Sequence, residues 1–86
     1  MRYMKILSWP VELAAVYEHK KPPTPVKFRY KDPDGKIIAM TVDNISDISE
    51  TNIAGVRAII YKCNTDDINY ELKFIVNSCK WELYRM

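Results

Sequence analysis

The stretch PVKFRYKDPDGKIIAMTV, residues 25–42, decides the fold. Val26, Phe28 and Tyr30 alternate with Lys27, Arg29 and Lys31. Apolar and basic residues exchanging at every step describe a strand with one face in a core and one in water. Asp32-Pro33-Asp34-Gly35 then reads as a hairpin turn. Proline presets φ at the second turn position, and glycine accepts the left-handed conformation that closes a bulged loop. Lys36 to Ile45 returns as a second strand, with Ile38, Met40 and Val42 on one face.

Outward from this hairpin the chain stays rich in β-formers. Val56 to Cys63 is one strand-like run, and Tyr70, Leu72, Phe74 and Val76 share one side of another. The turn cluster Asn64-Thr65-Asp66-Asp67 separates them, and Asn77-Ser78 leads into a closing strand around Trp81. Ser46 to Ala54 is polar and acidic, and is expected to be a short helical turn or a loop with Gly55 as its exit. Residues 9–20 fit two periods. Pro10 in a first helical turn would put Trp9, Leu13, Val16 and Tyr17 on one face, whereas period two aligns Val11, Leu13, Ala15 and Tyr17. The strand is favoured, with Lys20-Lys21-Pro22-Pro23-Thr24-Pro25 as the connecting loop.

A chain of 86 residues has room for one core, so residues 1–86 are expected to form a single domain. Apolar residues at 48% and charged residues at 28% are globular values, and a net charge of +2 provides no global field for nucleic acid or membrane. No apolar run approaches the ~18–20 residues of a membrane-spanning helix. Met1 to Leu7 starts like a leader but meets Pro10 and Glu12 before an apolar segment develops. A cytoplasmic location is the resulting expectation, and the two cysteines suit it.

Pro25-Val26-Lys27-Phe28-Arg29-Tyr30, Ala54-Gly55, Ile60-Tyr61-Lys62-Cys63, Tyr70-Glu71-Leu72-Lys73 and the ending Cys79-Lys80-Trp81-Glu82-Leu83-Tyr84 together resemble a family of short uncharacterised bacterial proteins. The Cys-Lys-Trp-x-Leu-Tyr ending is the most specific piece. The resemblance implies a β-rich single domain whose segment before PVKFRY is a strand. It implies no activity, and Ala14-Ala15 departs from the pattern.

Two sets of residues are candidate sites. Lys27, Arg29 and Lys31 would project from one face at roughly 7 Å spacing, near the repeat of phosphates, and Lys73 and Lys80 would extend that surface for nucleic acid. Against this, Phe28 and Tyr30 must point inward, leaving no ring to stack a base, and Glu12, Glu18, Glu71 and Glu82 stand at outward positions able to cancel the row. The second set is apolar. Ile37 and Ala39 fall opposite Ile38 and Met40, Ile59 and Tyr61 fall opposite Ala58 and Ile60, and Tyr84 and Met86 fall opposite Trp81 and Leu83. A second apolar face of this kind suggests self-association.

The remaining reactive residues suggest no chemistry. Cys63 and Cys79 have a whole strand between them, roughly 15–20 Å by strand rise, too far for a bridge, and both are expected to be buried free thiols. His19 is alone in a charged loop. Asp43, Asp47 and Glu50 lack the glycine and spacing of a calcium loop, and Asp66-Asp67 reads as turn chemistry. Gly-rich phosphate loops and nucleophile elbows do not occur.

The expected fold is therefore mainly β: a small antiparallel five- to six-stranded coiled sheet or open barrel, with room for one short helix. Its strands lie near 11–18, 25–32, 36–45, 55–63, 68–77 and 80–86. The expected core is Leu13, Phe28, Tyr30, Met40, Val42, Ile60, Leu72, Phe74, Trp81 and Leu83. The expected role is non-catalytic, binding another protein or a second copy as a homodimer, without cofactor, metal or membrane. Weak nucleic-acid binding through Lys27, Arg29 and Lys31 is the alternative.

Overall fold

A computed structural model describes residues 4–86; the first residues of the leader-like run, 1–3, lie outside the described residues. The chain is all β, with strands β1 (Ile6–Pro10), β2 (Glu12–Val16), β3 (Thr24–Lys31), β4 (Ile37–Thr41), β5 (Asn44–Ile53), β6 (Val56–Thr65), β7 (Ile68–Ile75) and β8 (Lys80–Arg85). They form a five-stranded sheet, ordered β1-β8-β7-β6-β5, and a three-stranded sheet, ordered β2-β3-β4. Every pairing is antiparallel. The architecture is two sheets rather than a closed barrel.

The opening hairpin forms as its residues dictate. Phe28 and Tyr30 are buried while Lys27, Arg29 and Lys31 are exposed. Asp32 organises the turn: its Oδ1 accepts from the backbone N–H of Asp34 at 3.0 Å and of Lys36 at 2.8 Å. Gly35 takes φ 83°, the conformation the bulged loop needs. Val26 departs from the alternation. Ala14 pairs with Lys27 but Ala15 pairs with Pro25, so Val26 is an extra, exposed residue and Pro25 is buried in its place. Proline has no N–H for the ladder, which makes this the natural position for a bulge.

Two bent runs hold the sheets together. Residues 6–16 continue in one direction with Leu7, Trp9, Val11, Leu13 and Ala15 all packed against the core. The first half pairs with β8 and the second with β3, and the change falls at Val11, whose N–H reaches the Trp81 carbonyl at 3.3 Å. The strand reading of residues 9–20 thus holds as far as Val16, while residues 17–20 are loop with Tyr17 exposed, and β1 is an additional strand. Ser8, at φ 50°, marks the irregular register on the way. In the same manner β4 pairs with β3, and after Val42-Asp43 the chain becomes β5 and pairs with β6. Strands that switch sheets at a bend make the corners of such packings. Ser46–Ala54 is therefore strand and turn: β5 runs to Ile53, and Ala54-Gly55 form the two-residue turn.

The core is aromatic. Tilted ring pairs run through it: Trp9 lies 5.7 Å from Tyr30 between centroids, Phe28 5.4 Å from Tyr70, and Trp81 5.4 Å from Tyr61 and 4.8 Å from Phe74. Such pairs add about 0.5–1.5 kcal/mol beyond their area. Leu72 and Leu83 are fully buried beside them. Leu13, Met40 and Val42, expected inside, pack at the margin, half-buried. Ile60 is buried, but on the other face of β6. Directly opposed residues share a face, and Tyr61 opposes Leu72 while Ile59 opposes Phe74. Tyr61 and Cys63, not Ile60, therefore enter the core. Among the described residues no helix is long and apolar enough to cross a membrane.

Candidate functional site

The five basic residues do not make one surface. Lys27, Arg29 and Lys31 share the outward face of the three-stranded sheet, where Arg29 is held by Glu12, its cross-strand neighbour, at 2.6 Å through Nη2 and 2.8 Å through Nε. Lys27 faces Ala14 and Thr41, and Lys31 faces Ile37, so these two have no carboxylate partner among the described residues. Lys73 and Lys80 belong to the outward face of the five-stranded sheet. Lys73 lies opposite Glu82 with its Nζ 4.9 Å above the Tyr84 ring, and Lys80 lies opposite Ile75. On the same sheet Glu71 is buried, opposite Lys62 and 3.7 Å from Arg85 Nε. Glu18 pairs instead with Lys21 at 3.4 Å. Cancellation of the basic row is thus confined to Arg29. Phe28 and Tyr30, the rings beside the row, are in the core.

The proposed self-association set is also divided. Tyr61 has no exposed surface, and its hydroxyl donates to the Pro23 carbonyl. Ile59 and Met86 pack against the core, and Tyr84 is partly covered by Lys73 and Arg85. The register of β6 against β7 makes the first exclusion, and the irregular register of β7 against β8 at Glu71 precedes the turn of Met86 toward the core. Only Ile37 and Ala39 remain exposed, Ile37 at 62%. Both are on β4.

The hydrogen bonds of the hairpin orient β4. Asp32 N–H bonds the Lys36 carbonyl, and Val42 N–H bonds the Val26 carbonyl, each at 2.8 Å. Bonded pairs in an antiparallel ladder recur at every second residue, so Ile38 and Met40 turn their polar backbone to β3. Ile37, Ala39 and Thr41 turn theirs to the free edge. Thr65 confirms the direction, since its Oγ1 donates to the Thr41 carbonyl at 2.6 Å. The open part of the edge is Ile37–Ala39.

This edge lacks the usual protections. β1 ends in Pro10 and carries the irregularity at Ser8; β2 begins at Glu12; β5 has a register shift after Ile45 and the carboxylates of Asp47 and Glu50. β4 reads Ile-Ile-Ala-Met-Thr, with no charge, proline or bulge. Alongside it runs a groove of about 720 Å³ lined by Tyr30, Ile38, Met40, Ile68 and Met86, with Asp43 and Asp66 among its polar residues. The groove opens where the bent run leaves β3 to join β6. Neither carboxylate has an ion-pair partner among the described residues. Sequence reasoning named Ile37 and Ala39 but neither the groove nor which strand is the open edge, because edge status depends on strand order.

The buried reactive groups are quiet. Burial pushes the Cys63 thiol up to about 12, and the Tyr61 phenol likewise to about 12, so both stay protonated. Cys79 is exposed in the turn before β8, contrary to the expectation of a second buried thiol, because its φ of 55° ends the preceding turn outside the core. Both cysteines are free. His19 is exposed in the loop after β2. Comparison with protein-family models, curated proteins and solved structures finds no match.

Proposed function

We propose that the protein is a non-catalytic binding module that works by strand addition at the open edge of β4, to another protein or to a second copy. The observation that carries this reading is the open edge Ile37–Ala39 of an uncharged strand, with outward N–H and C=O groups on Ile37 and Ala39. A free apolar edge is a liability unless it is used, and strand addition is its common use. The two unbridged cysteines support a cytoplasmic setting. The nucleic-acid reading has only Lys27 and Lys31 unpaired on the three-stranded sheet, with no outward ring beside them, while Lys73 and Lys80 lie on the other sheet.

Ala39→Pro tests the reading, since the Ala39 N–H faces away from β3 and its loss leaves the native ladder intact. The folded variant should release partners or second copies that the natural chain retains. Equal retention by both chains, together with a monomer in sedimentation at ~100 μM, ends the proposal.

A further inference from the structure

We infer that the groove beside β4 takes an extended peptide segment in which lysine or arginine is interspersed with apolar residues. The inference rests on the strand-addition reading and names its partner. An added strand sends alternate side chains to the two faces of the sheet. Those on the inner face enter the groove, whose wall of Tyr30, Ile38, Met40 and Met86 suits apolar groups. At the Thr41 end the same side chains meet Asp43 and Asp66, and no basic residue lines the groove. A cationic side chain there gains two unpaired carboxylates, whereas an acidic one meets like charge.

A second copy fits less well. Two-fold antiparallel pairing of β4 about Ala39 would match Ile37 with Thr41 of the other copy, and so requires the Thr41 carbonyl. Thr65 already holds that carbonyl at 2.6 Å. The two-fold axis would also keep both inner faces on the same side, setting two acidic grooves next to each other. A heterologous strand pairing mainly with Ile37–Ala39 avoids both conflicts.

The test is selection from a displayed library of random octapeptides on the immobilised chain, repeated on Ala39→Pro and on the double variant Asp43→Lys, Asp66→Lys. The expected pool alternates apolar residues with others and is enriched in lysine and arginine. Selected peptides should bind Ala39→Pro and the double variant at least ~10-fold more weakly. The double variant alters only exposed groups, so it keeps the test valid if Ala39→Pro unfolds. An acidic pool, or binding indifferent to the double variant, overturns the inference while leaving strand addition standing. No enrichment combined with a concentration-dependent dimer lost on Ala39→Pro assigns the edge to a second copy, and also overturns it. No enrichment with a monomer removes both this inference and the reading beneath it.

Discussion

Tyr61 and Leu72 stand directly opposite each other on β6 and β7, and neither has any exposed surface. They form the centre of the larger sheet's inner face, with the Trp81 ring tilted against Tyr61 at 5.4 Å and the Pro23 carbonyl at the hydroxyl. Tyr61→Phe should cost about 1–3 kcal/mol by leaving that carbonyl unpaired. Leu72→Ala should cost about 2–5 kcal/mol, and in a domain of this size that approaches the whole stability. Urea denaturation of the single variants and the double variant measures both terms; additivity within about 0.5 kcal/mol would show that the two side chains do not couple.

Alkaline pH should unfold the protein earlier than its charge suggests. Burial raises Cys63 from 9.0 and Tyr61 from 10.0, each to about 12. The folded state therefore keeps protons that the unfolded chain releases. The associated stability is complete below pH 9.0, declines through the interval above it and is lost by about 12. Burial raises Tyr30 and Tyr70 in the same direction. Denaturation midpoints should fall steadily between about pH 9 and about pH 11, and Cys63→Ala should flatten the first part of the fall. A midpoint constant across that range would mean that these groups are accessible in the folded chain.

The hairpin turns contain removable strain. Asp66 and Asp67 adopt φ 49° and 65°, and Ala54 adopts φ 51° before Gly55. Two consecutive left-handed residues define the turn type that favours Asn-Gly. Asp67→Gly and Ala54→Asn should each raise stability by roughly 1 kcal/mol, read as an increase in Tm. Gly35→Ala, at φ 83°, should lower it by a similar ~1 kcal/mol through the same effect reversed, although nothing lies within 4 Å of an added Cβ.

How much could be read from residues alone follows from where each side chain's environment is decided. Phe28, Tyr30, Asp32 and Gly35 declare the first hairpin because alternation and turn chemistry are local. β5 does not declare itself: Ile45, Ile48 and Ile53 break period two, the register shifts after Ile45, and pairing with β6 makes the segment a strand. β6 is apolar on both faces, so its own composition leaves open whether Ile60 or Tyr61 enters the core. The facing residue Leu72 decides it. The candidate site was legible only as the apolar pair Ile37 and Ala39, and their role as an edge emerges once β4 is seen to pair on one side alone.

Arg29 and Glu12 make a short contact, yet both side chains are mostly exposed. Arg29→Ala should change stability by no more than about 1 kcal/mol. Replacing Lys27 and Lys31 by glutamate should leave retention of single-stranded oligonucleotides unchanged, because no outward aromatic accompanies them. A salt-dependent loss of retention in the double variant would revive the nucleic-acid reading.

Ile37→Glu separates the edge of β4 from the fold that supports it. Ile37 lies directly opposite Lys31, whose ammonium has no carboxylate partner among the described residues. The new carboxylate would meet that cation across the strands, a pairing worth about 0.2–1 kcal/mol. It would also place a charge on the run that now lacks one, the means by which natural edges resist pairing. The side chain it replaces is largely in water, so little burial is lost. Thermal stability should stay level or rise, while strand addition weakens for peptides and for second copies alike. Melting curves and sedimentation on the same samples measure the two effects. A clear fall in Tm would show that Ile37 supports the core. An unchanged Tm with undiminished association would move the binding surface away from β4.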